Sequence, residues 1–217
     1  MAHHPLSALF YADVVPAFPE FCLVALDVAD RPVAKAYSLP VAWPDDPAAD
    51  LPPDGHDAVI LQAIADRLAG RTGTVVAAVE ITVRVEARGR GLSRMMLDAM
   101  RANAARLGFR SLVAPVRPTG TAGDPPMAAY ARLTRPDGLP VDPWLRTHVR
   151  AGGRIRAVAP YSMTLAGTLA QWRAWTGLPF DRTGPVRVPG TLAPVHCEVA
   201  HDHAVYVEPN VWVHHAL

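Results

Sequence analysis

Two arginines and two glycines form a short run, Arg88-Gly89-Arg90-Gly91, whose residue types suit the binding of an anion. A β-branched run over residues 75–85 precedes it, and apolar residues with the i, i+3, i+4 and i+7 spacing of an amphipathic helix follow it up to Leu107. Unpaired N–H groups and the positive dipole end of a helix start attract anions, and glycines let an anion approach the backbone. The order strand, glycine turn, helix therefore predicts a phosphate-binding segment over residues 88–93.

This segment lacks the features of two common nucleotide-binding motifs. No Gly-Lys-Ser/Thr follows at the spacing of a P-loop. The run Gly89-Arg90-Gly91 has no third glycine, and no acidic strand end follows about 20 residues later, as in a dinucleotide-binding fold. The residue types alone leave one alternative, which is a tight turn that carries solvated arginines.

Read as Arg88-x-x-Gly91-x-Ser93 after a strand, the segment resembles the acyl-CoA signature Arg/Gln-x-x-Gly-x-Gly/Ala of the GNAT superfamily of N-acetyltransferases. Ser93 departs from that signature, and the resemblance covers residues 73–117. It implies that acetyl-CoA is the cosubstrate. The residues that the resemblance places around the coenzyme pyrophosphate are Arg88, Gly89, Arg90, Gly91, Leu92 and Ser93. Those that it places along the pantetheine arm are Ile81, Thr82 and Val83.

Acetyl transfer to an amine requires a proton acceptor, because an alkylamine with a pKa of about 10 is mostly protonated at neutral pH. Glu80 is the predicted base, since it lies on the coenzyme strand and the neighbouring Val79 and Ile81 point to the opposite face. An acid at this position, just before the Ile-x-Val of the strand, is frequent in the family that the chain resembles. The alternative is an exposed charge on a half-solvated sheet face.

The departing thiolate needs a proton, for which two residues are candidates. The family often has Tyr-x-x-x-Gly at the end of a later helix, where this sequence has His148 four residues before Gly152. A histidine that titrates near pH 6.5 could donate to the thiolate or relay a proton. Tyr130 is the substitute, because the usual residue is a tyrosine. For either residue the alternative is a side chain with a purely structural hydrogen bond.

Strands and helices alternate along the chain, and the resemblance implies an α/β (α+β) fold in which helices flank a mixed, largely antiparallel sheet with splayed strands at the coenzyme site. Pro115 interrupts the strand predicted at 110–116, and a proline cannot donate to a sheet ladder. It therefore agrees with such a gap. Helices are predicted at 7–17, 57–68, 92–107, 127–133, 143–151 and 165–176. The other strands are predicted at 21–28, 33–43, 154–163, 186–188, 193–199 and 204–212.

Length and composition favour one domain over residues 1–217, with a coenzyme-binding core at 73–117 and a divergent acceptor side at 118–217. The net charge of +1 gives no broad basic field, which argues against nucleic acid as a partner. The two cysteines, Cys22 and Cys197, lie far apart in the sequence, so no disulfide framework is expected. The sequence also lacks a signal pattern and an apolar run of membrane length. These observations predict a cytoplasmic protein without membrane contact. The expected partner is a small-molecule or peptide amine, and the final strands could pair in a homodimer.

The late part of the sequence carries residues that bind zinc in other proteins, namely His196, Cys197, His201 and His203. Their spacing fits no common zinc site, since His196 and Cys197 point to opposite faces of a strand, and no metal is expected. His214 and His215 receive no role. Three functions therefore remain in order of preference: an acetyltransferase, a coenzyme A-binding regulatory domain that has lost its tyrosine, and a metal-dependent protein.

Overall fold

The structure, a computed structural model, describes residues 3–46, 48–121 and 124–217. The helices in these ranges are α1 Pro5–Leu9, α2 Gly55–Leu68, α3 Leu92–Arg106, α4 Met127–Tyr130, α5 Pro143–Arg150 and α6 Leu169–Thr176. The strands are β1 Cys22–Leu26, β2 Pro32–Val41, β3 Val75–Val83, β4 Ser111–Val116, β5 Arg154–Gly167, β6 Gly184–Val186, β7 Val195–Glu198 and β8 His203–Ala216.

All eight strands join one sheet, in which β1, β2, β3, β4 and β8 follow one another in that order. Strand β8 pairs with β4 and β7 along one edge and with β5 along the other, while β6 pairs with β7. Among the pairs of named strands, β3 with β4 is the parallel one and the others are antiparallel. The predicted fold class, a mixed and largely antiparallel sheet flanked by helices, is confirmed.

Strands β3 and β4 part soon after they meet. Their pairing comprises Val76 with Leu112 and Ala77 with Val113, although β3 continues to Val83 and β4 to Val116. Pro115 lies two residues beyond the last pair, where its missing N–H costs no bond to β3. The splayed strands predicted from the resemblance are therefore present in the fold.

The two faces of the sheet carry separate apolar clusters, because successive side chains of a strand point to opposite faces. Helix α3 covers one face, where Met96 and Met100 pack with Val76 of β3. Helix α2 covers the other face, where Ile60 packs with Val75. Burial of each such side chain contributes roughly 1.5–3 kcal/mol, so the sheet that forms the site is held from both sides.

A third cluster lies between α6 and strands β7 and β8. Trp172 is 3% exposed there, stacks on Phe180, and donates from its indole N–H to the carbonyl of Ala204 at 2.8 Å. Trp172 is therefore a core residue of this cluster.

Several predicted boundaries are wrong, and three of them change the ends of the sheet and of its flanking helices. Helix α6 begins at Leu169 rather than at residue 165, because β5 pairs with β8 as far as Gly167. The N-terminal helix begins at Pro5 rather than at residue 7, since the ring of proline suits a first helical position, and it continues as a π-helical turn over Phe10–Val14. Strand β8 extends to Ala216, four residues past its predicted end. No helix in the described ranges is long and apolar enough to cross a membrane.

Candidate active site

A cavity of about 700 Å³ opens where β3 and β4 part. Both parted strand ends line it, with Ala78 to Thr82 on one side and Ala114 to Arg117 on the other. The other residues that line it come from α1, the π-helical turn, α2, α5, β5 and β8, and they are Ser7, Ala8, Phe10, Tyr11, His56, Ile60, Trp144, His148, Met163, Glu208 and Asn210. Of the three predicted catalytic residues, Glu80 and His148 therefore meet at one cavity.

Glu80 is held by hydrogen bonds from three side chains. The hydroxyl of Tyr11 donates to Oε2, while the Thr82 hydroxyl and the Lys35 ammonium donate to Oε1. Burial raises the pKa of Glu80, but these three hydrogen bonds and the charge of Lys35 outweigh it, so the pKa lies below the ordinary value. Glu80 is thus ionised at neutral pH, as a proton acceptor must be.

Lys35 is the only lysine of the sequence, and its position beside Glu80 is set by strand register. In the β2–β3 ladder Lys35 lies opposite Thr82, and Tyr37 lies opposite Glu80, so all four side chains share one face. The Lys35 Nζ lies 3.1 Å from Glu80 Oε1, 4.7 Å from the centre of the Tyr11 ring and 4.9 Å from that of Tyr37. Two aromatic faces and a carboxylate therefore fix the ammonium that keeps Glu80 ionised.

The predicted pantetheine residues form an open strand edge. Beyond Ala77, the edge of β3 that faces β4 has no strand partner in the described ranges, so its backbone groups are free to bond an extended ligand. Ile81 and Thr82 line the cavity, whereas the side chain of Val83 is buried in the cluster under α3. Of these three residues, Val83 offers a ligand its backbone alone.

The predicted pyrophosphate residues form the start of α3. Gly89 and Gly91 have φ values of +78° and +77°, a left-handed conformation that favours glycine. No side chain caps the helix, and the N–H groups of Leu92 and Ser93 find no acceptor in the described ranges. Arg88 and Arg90 are exposed beside them. The segment has the unpaired donors and the positive charge that an anion needs.

His148 lies on α5 and is 2% exposed. Its Nδ1 is 3.0 Å from Nε2 of His215 on β8, and its ring meets the edge of Trp144. Burial, together with the charge of His215, lowers the pKa of His148 to about 3. The expectation that His148 titrates near pH 6.5 is therefore wrong, and His148 is a neutral imidazole under physiological conditions. His215, which the sequence left without a role, is its buried partner.

This buried histidine pair predicts a loss of stability in mild acid. Burial lowers the pKa of His215 to about 4, so the unfolded chain binds more protons than the folded one below pH 6.5. We expect the free energy of unfolding to fall as the pH drops from 6.5 to 4, by roughly 1.4 kcal/mol per pH unit for each such histidine. Urea titrations at several pH values measure this slope. His215→Phe should reduce it, whereas His196→Gln, at an exposed position, should not; equal slopes for both variants would contradict the assignment.

Tyr130 lies outside the residues that line the cavity. Its hydroxyl donates to Oδ2 of Asp142 at 3.2 Å, and burial, together with the charge of Asp142, raises its pKa to about 12. The same carboxylate caps α5, the helix that carries His148. Of the predicted catalytic residues, Tyr130 is thus the one that the structure keeps apart from the other two.

A buried polar group on β8 forms a further part of the cavity wall that the sequence did not predict. Glu208 is 1% exposed, and its Oε2 accepts from Arg117 Nε at 2.9 Å and from the Tyr206 hydroxyl at 2.7 Å. Asn210 donates weakly to Oε1 of Glu208 at 3.3 Å. The period-2 alternation of β8 offered one signal for this group, because Tyr206, Glu208 and Asn210 fall on one face.

The late histidines and cysteine do not come together as a metal site. Cys197 is buried in the α6 cluster, whereas its neighbour His196 is exposed on the other face of β7. The rings of His201 and His203 stack with centroids 6.2 Å apart. Within residues 3–46, 48–121 and 124–217, no group of three or more His, Cys, Asp or Glu side chains is placed to hold a metal ion.

Comparison with known proteins gives one close relative in sequence. The chain is 33% identical over 242 residues to the arginine N-acetyltransferase avaD of Aspergillus versicolor, a match that covers 98% of this chain and 82% of the relative. No protein-family model matches the sequence.

Solved structures support the fold. The loading GNATL domain of CurA from Lyngbya majuscula matches with a TM-score of 0.58 and 20% identity over 92% of this chain and 78% of that domain. The GphF GNAT-like decarboxylase, solved with isobutyryl-CoA, matches with a TM-score of 0.55 and 20% identity over 93% of this chain and 80% of that one. With the site described above, these matches show that the chain belongs to the GNAT superfamily of acyl-CoA-dependent N-acetyltransferases and transfers an acetyl group from acetyl-CoA to the amine of a small molecule.

Proposed function

We propose that the acceptor is arginine or a small arginine-like amine, bound in the cavity between the parted ends of β3 and β4. The observation that carries this proposal is the ionised carboxylate of Glu80 on the wall of that cavity. Glu208 adds a second acid to the same wall. The relative that is 33% identical over nearly the whole chain is an arginine N-acetyltransferase, which supports a basic acceptor.

In this proposal each predicted site residue has a separate task. The open edge of β3 at Ile81, Thr82 and Val83 binds the pantetheine arm, and the segment 88–93 binds the pyrophosphate. Glu80 takes a proton from the acceptor, directly or through a water molecule. His148 lines the cavity as a neutral imidazole, so it donates a hydrogen bond from Nε2 that stabilises the departing thiolate, and the thiolate takes its proton from water. Tyr130 positions α5 through Asp142 rather than acting on the substrate.

Measurement of free thiol release from acetyl-CoA with a panel of amines tests the proposal. We expect arginine and its amide to give a kcat/KM at least tenfold above that of an alkylamine of equal length that has no second cationic group, a ratio typical of one paired charge.

Gly91→Val should raise the KM for acetyl-CoA about tenfold, because a β-branched residue is strained at a φ of +77°. A folded sample that neither binds acetyl-CoA nor releases thiol with any amine would overturn the proposal.

We also propose that the chain forms one domain over residues 1–217, acts in the cytoplasm and forms a homodimer. The thiols of Cys22 and Cys197 are free, which supports a reducing compartment. Both edges of β8 are occupied, so a dimer built from the late strands would pair through β5 or β6. Sedimentation of the purified protein distinguishes a dimer from a monomer.

A further inference from the structure

His56 lies in the first turn of α2 and lines the same cavity as Glu80. Its backbone N–H donates to the Ser162 hydroxyl at 2.8 Å, and that hydroxyl donates to Oδ1 of Asn210 at 2.6 Å. A side chain at Gly55 would place its Cβ 2.2 Å from Ser162 Oγ, so only glycine allows this close approach. The backbone that carries the His56 ring is therefore anchored to the cavity wall.

Asp57 holds the ring of His56 from the side. Nδ1 of His56 is 3.3 Å from Oδ1 of Asp57, while Nε2 of the buried His4 is 3.3 Å from Oδ2. The backbone N–H of Thr164 also donates to Oδ2, at 3.3 Å. Burial raises the pKa of Asp57, but hydrogen bonds from His4 and His56 and the charge they can carry outweigh it, so the pKa is lower than usual. Asp57 is therefore a carboxylate at neutral pH.

This arrangement decides which nitrogen of His56 carries the proton. A carboxylate can only accept hydrogen bonds, so Nδ1 of His56 must be the N–H that donates to Asp57. In a neutral imidazole the lone pair is then on Nε2, which has no hydrogen-bond partner in the described ranges. Because His56 lines the cavity, that lone pair is available to a molecule bound there. A base oriented by a carboxylate is the arrangement that proton abstraction requires.

We propose that His56 is a second catalytic base of the acetyl transfer and that Asp57 is the residue that positions it. This inference rests on the proposed function, because it concerns an amine acceptor in the same cavity. The acceptor enters as an ammonium and leaves as an amide, so its nitrogen loses two protons. Its lone pair forms the C–N bond, the C–S bond breaks, and the electron pair of that bond departs with sulfur, which takes one proton.

Two bases suit this proton balance better than Glu80 alone. A carboxylate has about four acceptor positions, and three side chains already donate to Glu80. Glu80 therefore takes the first proton at its one remaining acceptor position and passes it to water, which leaves a neutral amine to attack the thioester. His56 takes the second proton as the C–N bond forms and releases it to water through the open cavity. The thiolate takes its proton from water in the open cavity, and the Nε2–H of His148 donates a hydrogen bond to it.

The test replaces His56 by alanine and adds small imidazoles to the assay. We expect His56→Ala to lower kcat about 10²-fold, the usual contribution of one proton-transfer group, with the KM for acetyl-CoA within threefold of the parent. Added imidazoles should restore kcat at least tenfold, and their rate constants should increase with their basicity. Rescue that does not depend on basicity, or a kcat within threefold of the parent, would overturn the proposal.

Matched variants separate a role in proton transfer from a role in folding. His203→Ala removes an exposed histidine on β8 and should leave the kinetics unchanged. His56→Gln keeps an N–H that can donate to Asp57, so it should fold and bind acetyl-CoA normally yet show the same loss of kcat. The parent enzyme is assayed first with acetyl-CoA and arginine. A parent that gives no turnover refutes the proposed function, whereas an active parent with an equally active His56→Gln refutes the inference alone.

A nuclear magnetic resonance measurement tests the geometry without activity. Long-range ¹H–¹⁵N spectra distinguish the two tautomers of a neutral imidazole, and we expect His56 in the folded protein to carry its proton on Nδ1. Asp57→Asn should reduce the population of this tautomer and lower kcat about tenfold. An Nε2–H tautomer in the parent protein would overturn the assignment of Asp57 as the positioning residue.

Discussion

Glu80→Gln is expected to lower kcat about 10²-fold and to leave the KM for acetyl-CoA within threefold of the parent value. Glutamine keeps the size of glutamate; its amide oxygen can still accept from Thr82, and its NH2 group can donate to the Tyr11 hydroxyl, so the cavity retains its shape. The amide cannot take a proton at neutral pH. Steady-state kinetics with a saturating acceptor measure the effect.

The control for this variant is Glu86→Gln, the same chemical change at a position whose side chain is 73% exposed. It should alter kcat less than twofold, because Glu86 makes a long surface contact with Arg84 and lies outside the cavity lining. If Glu80→Gln kept more than a fifth of the parent kcat, Glu80 would serve to orient the acceptor rather than to take its proton, and His56 would remain as the base.

The second large effect is on stability. Asp142→Ala is expected to lower the free energy of unfolding by about 3–5 kcal/mol, since a lost helix cap costs about 1 kcal/mol and each buried donor left unpaired costs about 1–3 kcal/mol. Asp142 is 2% exposed, and its Oδ1 accepts from the backbone of Trp144 and Leu145 at 2.9 Å. Its Oδ2 accepts from the backbone of Thr119 and Gly120 at 2.8 Å.

Urea unfolding of Asp142→Ala and of a surface control measures this difference. Asp137→Ala removes an exposed carboxylate that accepts from the Leu139 N–H at 3.2 Å and forms a 3.6 Å surface ion pair with Arg135, so it should change stability by less than about 0.5 kcal/mol. Asp142→Ala should also lower kcat, because α5 carries His148 into the cavity. A loss of stability below about 1 kcal/mol would show that water or a shifted loop satisfies the freed donors.

Local sequence patterns predicted the parts of the site that lie on one element. The period of α3, the glycines before it and the Asp142-Pro143 start of α5 are signals within a few residues of one another, and the structure has all three features. Glu80 was predicted in the same way, from the alternation of β3, but a bulge at Val79 breaks that alternation: Val79 packs in the cluster under α2 and Ile81 in the cluster under α3. These features follow from backbone conformation and local capping, which neighbouring residues determine.

Contacts between distant parts of the chain were not predictable from those patterns. His148 and His215 are 67 residues apart and meet only because β8 extends to Ala216. His56 is anchored by Ser162, 106 residues away. Such pairs depend on strand register and on packing across the sheet, and a single sequence carries neither. The low pKa of His148 has the same origin, because burial depends on what the rest of the chain places around it.

The position of β8 has a consequence for how the protein is made. Of the eight strands it is the last to leave the ribosome, yet β4, β5 and β7 all pair with it. A nascent chain that has emerged only as far as β7 has no partner for the second edge of β4, and it lacks Glu208 and Asn210 from the cavity wall and His215, the partner of His148. Closure of the sheet therefore comes after most of the chain has been synthesised, through pairings distant in sequence, which form slowly. Until β8 has paired with it, β4 exposes an unpaired apolar edge, and we expect chaperones to bind this incompletely folded chain.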